Sequence, residues 1–156
     1  ATLQKGSVMP SLKEQLLIDA VRPLLVQQCT QLVDQEVASK RGISGIAIKG
    51  AYKTVKAIKR GFVPGVVDFL LDEWVEKLES YYEDFLAQGT GDFASYIASR
   101  RSEVAESLLE VTDKRATTTA HKTAGKVYRK LRPTAKQNVS EAVPKLARIV
   151  QGHLAS

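Results

Sequence analysis

An all-α single domain, a bundle of five to seven helices built from antiparallel hairpins, is the fold this sequence predicts. Apolar residues recur at steps of three and four over most of the chain, and no useful length alternates with the period of a strand. Strong breakers, such as Gly61 to Gly65 with Pro64 between them, separate the periodic stretches. A length of 156 residues with 44% apolar and 26% charged side chains suits one sizeable core.

The polar, patternless Ala1–Val8 reads as an appended remnant or a disordered terminus before a native start at Met9, leaving 9–156 as the domain. Ser11-Leu-Lys-Glu14 has the form of a capping box. Behind it Leu12, Leu16, Ala20, Leu24, Leu25 and Leu32 mark an apolar helical face, with Pro23 predicting a kink or two abutting helices. That segment should end before Gly42. Ser44 can cap the next helix, whose face holds Ile43, Ala47, Ala51, Val55 and Ile58. Gly45 and Gly50 are poor helix formers, best explained by close helix contact.

From about Gly65 to Ala87 runs the expected core helix. Residues 62–86 hold six of the ten aromatic side chains, and Val67, Leu71, Trp74, Leu78, Tyr81 and Phe85 share one face. Asp92 can cap the helix of Phe93, Tyr96 and Ile97, and Val104, Leu108, Leu109 and Val111 continue the pattern. The β-branched run Thr117–Thr119 predicts a turn. A helix through Val127, Tyr128 and Leu131 should stop at Pro133, and a last one carries Val139, Val143, Leu146, Val150 and Leu154.

The net charge of +6 is arranged in blocks. Residues 40–60 carry seven Lys/Arg and no acid; residues 68–84 carry seven acids and Lys77. Residues 114–136 carry eight Lys/Arg and no acid, after five acids in 85–113. Folding each basic block onto its acidic neighbour predicts a structural charge stripe: Arg60 facing Asp68, Lys56 facing Asp72, Lys53 facing Glu76 and Lys49 facing Glu79. The same test downstream pairs Asp113 with Lys122, Glu110 with Lys126, Glu106 with Arg129 and Glu103 with Arg132. Intramolecular neutralisation is thus preferred to an anionic partner surface or an oligomer interface. Lys40, Arg41, Lys59, Lys114, Arg115, Lys130 and Lys136 are left unmatched.

Signals for chemistry are sparse. Cys29 is the one cysteine and sits among leucines, which suits a buried thiol in a reducing compartment. His121 and His153 are the only histidines, too few for a zinc set, and neither has a Glu three positions before it for a di-iron site. There is no phosphate-binding loop, EF-hand or nucleophile elbow. Gly42-Ile-Ser-Gly45 matches the glycine loop of one RNA-binding fold, but that fold needs a sheet that is absent from the pattern. No stretch is long and apolar enough to span a membrane.

Several runs resemble a family of small uncharacterised bacterial all-α proteins: Arg22-Pro23 with Cys29 following, the run from Glu36 through GISGIAIKGAYKTVKAIK, VDFLLDEW, SEVAESLLEVTDKRA, KVYRKLRP and EAVPKLARIV. The resemblance extends from about Met9 to His153. It implies an all-α single domain in a bacterial cytoplasm and supplies no activity, ligand or catalytic residue.

These readings predict a non-enzymatic helical interaction or scaffold protein, self-associating or bound to a protein partner, with no catalytic residue, metal or cofactor. One alternative is an accessory that binds nucleic acid or an anionic membrane surface through Lys114, Arg115, Lys122, Lys126, Arg129 and Lys130. Another is a carrier of an apolar ligand beside Trp74.

Overall fold

The computed structural model describes residues 10–155, which form seven helices and no strand. They are α1 (Leu12–Leu16), α2 (Arg22–Ser39), α3 (Gly42–Lys56), α4 (Phe62–Gln88), α5 (Phe93–Ala98), α6 (Arg101–Thr118) and α7 (Lys122–Gln151). The segment Ala1–Val8, expected to be an appendage, lies outside the described residues.

Local chemistry explains most of the boundaries. The capping box at Ser11 forms: its hydroxyl accepts from the Glu14 amide at 3.1 Å, and the Glu14 carboxylate accepts from the Ser11 amide at 2.8 Å. The N-terminal stretch is two abutting helices, with Pro23 in the first turn of α2, where a missing amide leaves no acceptor unpaired. Asp92 caps α5 by accepting from the Ser95 amide at 2.8 Å.

Four expected boundaries differ. Ser44 is not a cap: α3 begins at Gly42, whose φ of +74° turns the chain out of the extended Arg41. Residues 61–65 are not a five-residue break either. Gly61 takes φ +74° and α4 starts at Phe62, placing Pro64 in the first turn, where amides have no intrahelical acceptor. The threonine run stays helical through Thr118, with the hydroxyls of Thr117 and Thr118 donating back to the Lys114 and Arg115 carbonyls at 2.7 and 3.3 Å, where they do not compete for the amides beyond. Pro133 does not stop α7; it lies on an exposed face, so the carbonyl it leaves unpaired can turn to water.

The core is built on α4. Val67, Leu71, Val75, Leu78 and Tyr82 are buried along it, against Leu12 and Leu16 of α1, Leu25 and Cys29 of α2, Phe93 and Ile97 of α5, Val104 and Leu108 of α6, and Val143, Ala147 and Val150 of α7. The expected stripe through Trp74, Tyr81 and Phe85 is rotated by one position. These three are only partly buried, on the flank where Trp74 Nε1–H donates to the Leu108 carbonyl at 3.2 Å and Phe85 packs on Phe93.

Two segments stand apart from that core. The only buried residue of α3 is Gly45, and residues 122–138 of α7 bury only Gly125. Their packing against the bundle is shallow: Ile48, Ala51 and Val55 of α3 and Val127 and Leu131 of α7 are only half-buried. Tyr52 hydroxyl donates to Asp34, and Tyr128 hydroxyl donates to Asp113 at 2.6 Å.

Candidate anion-docking ridge

Three of the four α4 acids expected to face the α3 lysines are occupied, but by other partners. Arg22 of α2 takes both Asp68 and Asp72: Nε donates to Asp68 at 2.8 Å, Nη1 and Nη2 donate to Asp72 at 3.0 and 3.1 Å, and Nη2 also donates to the Asp68 carbonyl at 2.8 Å. One planar guanidinium thus satisfies four acceptor contacts, which an ammonium cannot match. The hydrogen bonds from Arg22 hold the Asp72 carboxyl below the usual carboxylate range. Glu79 accepts from the Leu12 and Lys13 amides at 3.1 and 3.4 Å, serving the N-terminus of α1. Glu76 is exposed and has no ion pair among the described residues. The charge stripe of Lys49, Lys53, Lys56 and Arg60 against Asp68, Asp72, Glu76 and Glu79 therefore does not form. Helices α1 and α2 have taken the acidic face that α3 was expected to cover.

The α6–α7 hairpin forms, in a different register. Asp113 receives Arg132 at 2.8 Å, and Glu106 receives Lys136 at 3.2 Å and Arg132 at 3.7 Å. Glu110 turns to Lys77 of α4 at 3.0 Å instead. The connection is centred on Ala120, two residues later than expected; Asp113 and Glu106 take partners farther along α7, and the predicted partners Lys122, Lys126 and Arg129 are released. Burial, reinforced by the Asp113 carboxylate, pushes the Tyr128 hydroxyl up to about 12.

Where the basic blocks go instead is set by two pins. At one end Lys40 Nζ sits 2.8 Å from Glu141. At the other, the rings of Phe62 and His121 meet edge to face with centroids 5.1 Å apart. Residues 40–62 and 121–141 share both ends, so α3 and the first half of α7 run side by side and antiparallel. The two acid-free segments of the chain are neighbours.

On α7, Lys122, Lys126, Arg129 and Lys130 project at helical spacing onto one exposed face; on α3, Lys49, Lys53 and Lys56 form an exposed flank that Lys59 and Arg60 extend. None of these nine cations, nor Lys114, has a carboxylate within 4.0 Å among the described residues. Two such charges ~10 Å apart in water would repel by about 0.4 kcal/mol, a term that a bound anion would offset.

Of the six residues expected to bind anions, Lys114, Lys122, Lys126, Arg129 and Lys130 are exposed and free of ion pairs, whereas Arg115 is engaged. Its guanidinium meets Glu73 at 2.5 Å and lies over the Phe69 ring at 5.2 Å. Lys40 and Lys136, also expected to be unmatched, are paired with Glu141 and Glu106. The residues assigned to architecture, Lys49, Lys53, Lys56 and Arg60, join the ridge. Ile43, expected on the apolar face of α3, is 89% exposed, and Ile46 is 73% exposed.

Other features offer less. An open groove of about 510 Å³ runs between α2 and the end of α7, lined by Gln28, Gln31, Gln35, Lys145, Arg148 and His153. Lys145 is already paired with Glu36 at 2.6 Å and His153 contacts Gln28 at 2.6 Å. Burial pushes the Cys29 thiol up to about 11, away from the reactive thiolate. Among the described residues no three His, Cys, Asp or Glu side chains are grouped to hold a metal, and no helix is long and apolar enough to cross a membrane.

No curated protein and no solved structure matches this chain. A family model does match, over residues 12–154, which takes in all seven helices of the bundle. The chain belongs to that family, DUF6918, a family of unknown function.

Proposed function

We propose that this chain is a non-enzymatic interaction protein that docks onto a polyanionic surface through α3 and the first half of α7. One observation carries the reading: the two acid-free basic segments lie alongside each other, outside the core, with nine cations unpaired. Segments that add no fully buried apolar side chain and gather like charge contribute little to the core, which is accounted for if their partner is an anion. Self-association through α3 is the less favoured reading, since residues 42–56 contain no acid to meet the lysines of a second copy. The apolar-ligand alternative has less support too, because the Trp74 indole is tied to Leu108. A cytoplasmic location belongs to the same proposal, through the buried free thiol of Cys29.

Titration into fluorescently labelled heparin, a generic polyanion, at about 50 mM salt tests the proposal, since phosphate-type binding is strongest when little salt competes. Saturable binding is expected, weakened at least about tenfold when Lys53, Lys56, Lys126 and Lys130 are all changed to Gln. No binding, or equal binding by the fourfold variant, contradicts it.

A further inference from the structure

Among polyanions, the ridge is built for a bilayer. We infer that its partner is an anionic membrane surface, met by α3 lying flat with Ile43 and Ile46 sunk among the lipids; this rests on the docking reading above. The outer face of α3 is not simply basic. At 100° per residue, Ile43, Ile46, Ala47 and Gly50 fall in one sector, and Lys49, Lys53 and Lys56 fall in the sector beside it. Ile43 and Ile46 are 89% and 73% exposed, and a Cβ at Gly50 would meet nothing within 4 Å. An apolar strip flanked by lysines on a surface helix is the pattern of interfacial binding, in which chains enter the acyl boundary and ammonium groups stay with the phosphates.

The ridge is poorly equipped for the competing partners. Its two tyrosines are part-buried and held by their hydroxyls, Tyr52 to Asp34 and Tyr128 to Asp113 and Thr112, and the Lys56 ammonium lies over the Tyr52 ring, so the ridge presents little aromatic surface for stacking on bases. On a nucleic acid the two isoleucines would remain in water; in a bilayer they would leave it. At about 25 cal/mol per Å² of apolar surface, even partial burial of the pair is worth roughly tenfold to a hundredfold in affinity. A symmetric contact with a second copy would set lysine against lysine.

The test is co-sedimentation of the full chain with phosphatidylcholine vesicles containing about 30% phosphatidylglycerol, with pure phosphatidylcholine vesicles, and with heparin and a duplex DNA at the same salt. Two variants are compared, Ile43→Ser/Ile46→Ser and Lys53→Gln/Lys126→Gln. The isoleucines are exposed, so an unchanged melting temperature verifies that the first variant folds. The expected result is binding to anionic but not neutral vesicles, reduced at least about tenfold by Ile43→Ser/Ile46→Ser while heparin affinity stays within about twofold. Vesicle binding indifferent to the isoleucines overturns the inference. So does binding of heparin or DNA without vesicles, although the polyanion reading then survives. Failure to bind any of them ends both.

Discussion

Gly45 and Gly50 carry the same residue type on one helix, and their surroundings assign them opposite effects. A Cβ on Gly45 would stand 2.7 and 2.8 Å from the Lys40 carbonyl carbon and oxygen, which are backbone atoms with little room to yield. Gly45→Ala should destabilise the protein by about 1–3 kcal/mol. Gly50→Ala meets open space and should gain up to about 1 kcal/mol from helix propensity alone. Urea melts of the two variants check the pair. Close contact was the expectation for both glycines; it holds at one, and against the preceding turn rather than another helix. The sequence does not reveal Gln15 at all, because a polar residue between Leu12 and Leu16 looks like a solvent position. It is buried, donating to the Pro10 carbonyl at 2.9 Å and to the Tyr82 hydroxyl at 3.1 Å, and accepting from the Ala155 amide at 2.8 Å. Gln15→Leu should cost about 2 kcal/mol, since it strands buried partners, and should expose the C-terminal turn to faster amide exchange.

Elements were legible wherever a boundary is set by local chemistry and obscure wherever partners decide it. The Ser11 box and the Asp92 cap need only four consecutive residues each, and both form. The α6–α7 register depends on where the connection between the two helices falls, and with α6 helical through Thr118 none of the predicted pairs forms. In the register that forms, Asp113 is the main tether of the coreless half of α7, holding Arg132 and Tyr128. Its carboxyl lies below its ordinary value because of the Arg132 hydrogen bonds, so the contribution is complete above the usual carboxylate range. It is lost as pH falls through the folded value, below the usual carboxylate range. Acid titration should therefore release residues 122–136 before the core half around Val143 and Val150. Asp113→Asn should mimic this at neutral pH, raising amide exchange in that half while changing global stability by no more than about 1 kcal/mol, as befits a part-exposed pair.

For the whole molecule, the neighbours each helix takes decide where the charge lies. The alternating blocks could be read directly from the sequence; which blocks become neighbours could not. The hairpin assumption placed α3 on the acidic face of α4 because the two are consecutive, but Arg22 claims that face through four hydrogen bonds. Helix α3 is displaced onto the flank of α7, and cations predicted to cancel are gathered instead. A fold carrying this repulsion should be stabilised by screening, so its melting temperature should rise between about 20 and 200 mM salt. Lys126→Glu should raise it as well, by a degree or two, since relieving a few repulsions of this size is worth under about 1 kcal/mol.

The most direct measurement of the ridge is the slope of log affinity for heparin against log salt concentration, taken for three proteins: wild type, Lys53→Gln/Lys56→Gln on α3, and Lys126→Gln/Lys130→Gln on α7. Counterion release makes that slope count the cations in contact with the polyanion. If α3 and α7 form one docking surface, the wild-type slope is steep and each double variant makes it shallower by a similar amount, close to two cations' worth. A slope near zero, or one that responds to only one of the two helices, would contradict the account.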